Sequence, residues 1–169
     1  MVLVMSHILF NKRLASSLID CSWSEVVDLV YHPYEVDCLP YLQVSLLDGS
    51  LHRLSVYDLL DRFFTDRLRR SDSCKLSCFD LWDGEFFTAF PSRPLSDADF
   101  YSLEVLSSPH GPVATCTCPD YVAQRFVFGY YSRCKHGFAL AKQRTLFNVF
   151  HCFPDIVESL NASQFALVA

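Results

Sequence analysis

The chain has 169 residues, of which 51% are hydrophobic, so it can bury a core and is not a disordered chain. Its net charge of −5 differs from the basic balance of most autonomous nucleic-acid-binding proteins. Residues 1–115 hold 16 acidic against 9 basic side chains, whereas residues 116–144 hold five basic side chains against one carboxylate. The segment 116–144 is therefore expected to present a basic face on an otherwise acidic protein.

The N-terminal segment MVLVMSHILFNKR does not follow the order of a secretory signal. Its apolar run precedes Lys12 and Arg13, and no cleavage site with small residues follows. The run is also too short to span a bilayer. We therefore expect an intracellular protein, cytoplasmic or nuclear, with no membrane contact and with reduced thiols. Eight cysteines in such a chain favour a metal or redox site over disulfides.

The first predicted element is a helix in SWSEVVDLV, residues 22–30. Ser22 and Glu25 have the spacing of a capping box, and Val26, Val27 and Val30 would form an apolar stripe. Proline follows at position 33 and would end the helix.

Two β-hairpins are predicted next, each with Asp-Gly at its turn. The first is YLQVSLLDGSLHRLSV, residues 41–56, and the second is KLSCFDLWDGEFFTAF, residues 75–90. Between them, VYDLLDRFFTDRLRR has the apolar spacing of an amphipathic helix that packs on the first hairpin.

The remaining sequence predicts two strands followed by helices. FYSLEVLSSPHGPVATCTC, residues 100–118, indicates two strands around SSPHG, with Cys116 and Cys118 on the second. HGFALAKQRTLFNVF has helical spacing, and PDIVESL predicts a short helix in the C-terminal tail. The expected fold is α+β, with two β-hairpins and flanking helices followed by a ββα unit. We expect three regions, 1–99, 100–150 and 151–169, in one compact body because no flexible linker separates them.

Four candidate metal ligands lie in residues 116–136. Cys116 and Cys118 form a C-x-C pair, and Cys134 and His136 form a C-x-H pair 15 residues later. Alternation along a strand would place the first two sulfurs on one face, and a helix entrance could supply the second pair. Four such ligands without a carboxylate or an open position match a closed, structural site for one zinc ion.

Other interpretations of these cysteines are weaker, although free cysteines also occur as small buried hydrophobes. A disulfide between Cys116 and Cys118 would be strained. A nucleophilic pair of Cys134 and His136 lacks a residue that orients the histidine. Cys74 and Cys78 would lie about 13 Å apart on a strand, which is too far for one ion. The other cysteines show no partner pattern and are expected in the core: Cys21, Cys38 and Cys152.

The pattern CTCPDY…CKHGFAL, between a predicted strand and a predicted helix, resembles the SWIM zinc finger. The resemblance covers about residues 100–145. It implies Cys116, Cys118, Cys134 and His136 as zinc ligands in a ββα unit with roles in DNA binding or protein–protein interaction. The intervening segment 121–131 is more aromatic than many loops of the family, and its residues could belong to the core or to an interface.

These features predict a zinc-binding accessory or interaction protein with a protein partner, as a subunit of an assembly that acts on nucleic acid. The candidate nucleic-acid contacts are five cations: Arg125, Arg133, Lys135, Lys142 and Arg144. The alternative is a protein–protein adaptor without nucleic-acid contact. One exposed stripe of these cations would favour the first hypothesis, and scattered cations the second. No catalytic motif supports an enzyme, and an unrecognised active site in residues 1–99 is the third hypothesis.

Overall fold

The computed structural model describes residues 8–33, 39–81, 84–90, 100–144 and 146–165. The protein is α+β, as predicted, and the described residues form antiparallel sheets of three and four strands. The chain divides into two compact units, Met1–Phe64 with Phe150–Ala169, and Thr65–Val149. The predicted boundaries at residues 99 and 150 stay a prediction.

The first unit contains a short helix and a three-stranded sheet in the order β1-β2-β3. Helix α1 (Lys12–Leu18) begins at Asn11, whose side chain accepts a hydrogen bond from the N–H of Leu14. The strands are β1 (Val26–His32), β2 (Tyr41–Leu46) and β3 (Leu51–Ser55). The predicted hairpin of β2 and β3 is confirmed, with Gly49 at a positive φ in its turn.

The predicted helix in residues 22–30 is wrong. The capping box of Ser22 and Glu25 forms, but it caps only a single 3-10 turn, Trp23–Glu25. The chain then extends into β1, which pairs with β2 from Val26 to His32 with one irregularity between Val26 and Asp28. Because β-branched valines fit a pleated sheet better than a helix, pairing with β2 prevails over the local helix signal.

Two further helices are confirmed. Helix α2 (Val56–Ser71) buries Leu59, Leu60 and Phe63, and Phe64 is buried beside them. The predicted C-terminal helix forms as α5 (Phe153–Phe165), which follows a 3-10 turn at Val149–Cys152 and is longer than expected. Within the described ranges, no helix has both the length and the hydropathy needed to cross a bilayer.

The second unit is built on a four-stranded antiparallel sheet in sequence order. Its strands are β4 (Leu76–Leu81), β5 (Gly84–Ala89), β6 (Tyr101–Ser108) and β7 (Gly111–Cys116). Both predicted strand pairs of this region are confirmed. The aspartate of the second Asp-Gly turn lies outside the described residues.

Two helices follow the sheet, α3 (Pro119–Phe128) and α4 (Lys135–Gln143), separated by a 3-10 turn at Gly129–Tyr131. The segment between the two ligand pairs, which was compared with a loop, is therefore mostly helical. The predicted ββα unit contains an additional helix, α3. Pro119 suits the first helical position because its φ is already helical and its missing N–H is not needed there. The predicted helix over residues 136–150 ends early, at Gln143.

The core of this unit contains the candidate ligands. Strand and helix residues pack together in one buried cluster: Phe87, Ala89, Tyr101, Leu103, Ala114, Cys116, Cys118, Tyr121, Cys134 and Leu140. The three sulfurs thus lie among apolar side chains instead of on the surface.

We predict that Gly129→Ala destabilises the protein by about 1–3 kcal/mol, because Gly129 ends α3 with φ 53° and ψ −119°, a region that L residues avoid. Gly137→Ala is the matched control, since this glycine lies inside α4 and an added Cβ would meet its nearest neighbour at 3.8 Å. Urea unfolding of both variants measures the difference. Equal midpoints would contradict the conformational argument.

Candidate metal centre

The four predicted ligands come together in the second unit. Their ligand atoms, three Sγ atoms and one ring nitrogen, all lie within 4.8 Å of one another, and all four residues are buried. Nδ1 of His136 lies 3.8 Å from Sγ of Cys116 and 4.0 Å from Sγ of Cys134. Bonds of about 2.3 Å to sulfur and about 2.0 Å to nitrogen in a tetrahedron would place these atoms about 3.5 Å apart. The cluster could therefore hold one metal ion.

The prediction that Cys116 and Cys118 share one strand is wrong. Cys116 is the last residue of β7, whereas Cys118 is the N-cap of α3. Thr117 between them is held to Ser102, with its N–H donating to the Ser102 carbonyl and its hydroxyl accepting from the Ser102 N–H. The chain therefore turns from strand to helix within the C-x-C motif, and this turn brings both sulfurs to the same point.

The second pair lies at a helix entrance, as predicted. Cys134 is the N-cap of α4, and His136 lies in the first turn of that helix. The two cysteine N-caps use the same interaction. Sγ of Cys118 accepts the N–H of Tyr121, and Sγ of Cys134 accepts the N–H of Gly137, each at 3.4 Å.

Two helix N-termini therefore point at the cluster. The positive end of a helix dipole and its unpaired N–H groups stabilise negative charge. A third amide, the N–H of Cys118, donates to Sγ of Cys116 at 3.4 Å. Each of the three sulfurs thus accepts a main-chain hydrogen bond, which favours the thiolate form that binds metal.

The pKa values of the three buried thiols are shifted in different directions. Hydrogen bonds from the thiols of Cys116 and Cys134 lower the pKa of Cys118 far below its ordinary value. The hydrogen bond to Cys118 raises the pKa of Cys116 to about 12. Hydrogen bonds to both neighbours, together with burial, raise the pKa of Cys134 well above its ordinary value. In the metal-free cluster, the thiolate is therefore favoured at Cys118 over Cys116 and Cys134.

The imidazole of His136 is positioned by packing. Its ring lies against Tyr101, with the ring centroids 5.2 Å apart. Nδ1 faces the sulfurs and is the ring nitrogen available to an ion. Among the described residues, the buried Nε2 of His136 has no hydrogen-bond partner. The ring orientation therefore depends on the aromatic contact and on whatever Nδ1 binds.

Two polar contacts around the centre were not predicted from the sequence. Arg67 on α2 binds both carboxylate oxygens of Asp120, at 2.7 and 3.1 Å, and this holds the first turn of α3. Oε1 of the fully buried Gln124 accepts the N–H of Arg133 at 2.9 Å and ties α3 to the residue before Cys134. Arg67 and Asp120 are 53 residues apart, so no local spacing signals their pairing.

The five predicted nucleic-acid contacts do not share one environment. Arg133 is only 1% exposed, so it is a core residue and the predicted phosphate contact does not fit the structure. Lys142 forms an ion pair with Asp72, and the guanidinium of Arg144 lies over the ring of Phe87. Arg125 is exposed and Lys135 is half-buried.

The aromatic segment 121–131 is divided between core and surface. Tyr121 and Phe128 are buried, whereas Phe126 is 68% exposed and Tyr130 is 62% exposed. Val122 is also exposed, and it precedes Phe126 by one helical turn. The outer side of α3 thus carries an apolar row.

The remaining cysteines lie apart from the cluster. Cys152 is buried, as expected, Cys21 is only half-buried, and Cys38 lies outside the described residues. Within the described ranges, one group of three or more His, Cys, Asp or Glu side chains is close enough to share an ion, and neither Cys74 nor Cys78 belongs to it.

Comparison with known proteins finds no matching family model, curated sequence or solved structure. The resemblance to SWIM zinc fingers therefore rests on the motif residues themselves.

We predict that zinc binding releases about two protons per ion near neutral pH, since Cys116 and Cys134 must ionise while Cys118 already has. Because the two raised pKa values lie above neutral pH, affinity should rise with pH, by about a hundredfold per unit between about pH 7 and 8. Calorimetric titration of the metal-free protein in buffers of different ionisation enthalpy counts the protons. A pH-independent affinity would refute this ionisation pattern.

Proposed function

We propose that the cluster is a structural zinc site of the SWIM type and that the chain is an interaction protein stabilised by this ion. The observation that carries the proposal is the convergence of four buried protein ligands from β7, α3 and α4. Zinc prefers four tetrahedral sulfur and nitrogen ligands.

The burial of the site supports a structural role. All four ligands are at most 5% exposed. A catalytic zinc ion keeps one coordination position for water or substrate, whereas four protein ligands fill the tetrahedron. The ion would join the end of the sheet to the starts of two helices, so its binding free energy becomes folding free energy.

The surface of α3 supports a protein partner. Val122 and Phe126 are exposed one helical turn apart on α3, and the exposed Tyr130 follows in the 3-10 turn after the helix. Aromatic side chains are enriched in protein–protein interfaces, and exposed apolar patches mark such sites. The buried Arg133 and the paired Lys142 weaken the competing hypothesis of a continuous basic surface.

A nucleic-acid contact is the second candidate function. Exposed Arg125 lies beside Phe126 in the sequence of α3, and an aromatic ring next to a cation can stack on a base. Because Arg133 is buried and Lys142 is paired with Asp72, at most three of the five candidate cations can contact phosphates: Arg125, Lys135 and Arg144. Such a contact would be weak in the isolated protein.

The purified protein should contain one zinc ion per chain by elemental analysis. Cys134→Ser should lose the ion, because it removes a ligand and an N-cap together, and residues 112–140 should then exchange amide hydrogens faster. Cys152→Ser is the matched control, since Cys152 is also buried but lies outside the cluster. Full zinc content in Cys134→Ser, or unchanged exchange after chelation, would refute the structural zinc site.

Binding to single-stranded and duplex DNA should be micromolar or weaker at low salt. Three phosphate contacts would give a slope of log K against log salt of at most about 2–3. Arg125→Gln should weaken the binding, and Lys142→Gln should weaken it less because Asp72 already pairs with Lys142. Tight binding that Phe126→Ala removes would replace the adaptor proposal with base stacking.

A further inference from the structure

A buried arginine directly precedes the ligand Cys134. Arg133 is 1% exposed and is the largest of the fully buried side chains in the described residues. Its Nη1 donates to the carbonyl of Tyr130 at 3.0 Å and to that of Ser132 at 2.6 Å. These hydrogen bonds fix the guanidinium within the interior of the second unit.

The charge of this side chain has an energetic consequence. An arginine stays protonated in folded proteins, and a buried charge is costly unless opposite charge lies nearby. A divalent ion held by three thiolates and a neutral imidazole carries a net charge of minus one. The loaded centre is therefore a buried anion next to a buried cation.

The structure places the stem of Arg133 close to a ligand sulfur. A Cβ built on Gly137 would lie 3.9 Å from Cδ of Arg133 and 3.9 Å from Sγ of Cys134. The arginine stem and the sulfur thus approach the same point of α4, and Cδ and Sγ are less than about 8 Å apart. The guanidinium carbon lies two bonds beyond Cδ and the ion one bond beyond Sγ, so the two charges are at most about 13 Å apart. At about that separation, opposite unit charges in a protein interior change an equilibrium constant by about tenfold.

We propose that Arg133 is the counter-ion of the metal centre and that its charge stabilises the zinc-loaded fold. This inference rests on the proposed zinc site and deepens it. Lys135 follows Cys134 on its other side but is only half-buried, so solvent screens its charge more than that of Arg133. Arg133 is thus a positioning residue that acts through charge, not a ligand.

The test varies the charge of the centre and of residue 133 together in the zinc-loaded full chain. His136→Cys gives a four-cysteine site, which zinc also accepts, and changes the centre from minus one to minus two. Arg133→Met removes the cation, and Arg133→Lys keeps the charge but loses the guanidinium geometry. Lys135→Met is the matched control. Urea unfolding at fixed free zinc gives the unfolding constant of each variant.

Arg133→Met should raise the unfolding constant about tenfold in the native centre and on the order of a hundredfold with His136→Cys, because doubling the charge doubles the Coulomb energy. Arg133→Lys should raise the unfolding constant by the same factor with and without His136→Cys. The factor for Lys135→Met should depend little on His136→Cys. Equal losses for Arg133→Met in the two backgrounds would overturn the proposal.

Two further outcomes distinguish a role of the Arg133 charge from a role of its hydrogen bonds. If Arg133→Met does not fold while Arg133→Lys folds and binds zinc, charge is the required property and the proposal holds. If Arg133→Lys also fails to fold, the hydrogen bonds to Tyr130 and Ser132 explain the residue and the proposal is overturned. A wild-type protein without stoichiometric zinc would instead refute the zinc site itself, which the elemental analysis detects independently.

Discussion

The second unit depends on the meeting of three cysteine sulfurs at two helix N-termini. Each sulfur accepts a main-chain N–H, and two of them cap the helices that follow. Without a cation, the pKa values of Cys116 and Cys134 are raised, and apolar packing that includes Tyr121 and Leu140 joins the helices to the sheet. A divalent ion would add four strong bonds to this packing, so the fold and the proposed site are one arrangement.

Local sequence signals predicted the parts of the structure that depend on local chemistry. The Asp-Gly turn fixed the hairpin of β2 and β3, and the spacing of Cys116, Cys118, Cys134 and His136 identified a cluster that the fold brings together. The prediction failed at residues 22–30, where a genuine capping box precedes a strand. That outcome depends on pairing with β2, whose residues lie outside the segment on which the prediction was based.

The helix α3 was missed for a different reason. A proline after an N-cap begins a helix, but here the preceding cysteine takes the capping role usually held by serine or aspartate, so the local signal is weak. The sequence also could not show which of the five candidate cations are exposed and which are buried or paired. Arg133 looks like a surface residue in a basic segment, and only the hydrogen bonds to Tyr130, Ser132 and Gln124 reveal it as a core residue.

X-ray absorption at the zinc edge of the loaded protein tests the central claim most directly. We expect three sulfur neighbours at about 2.3 Å and one nitrogen at about 2.0 Å, with no oxygen ligand. A light-atom shell that includes water, or fewer than three sulfurs, would contradict a closed centre made by Cys116, Cys118, Cys134 and His136.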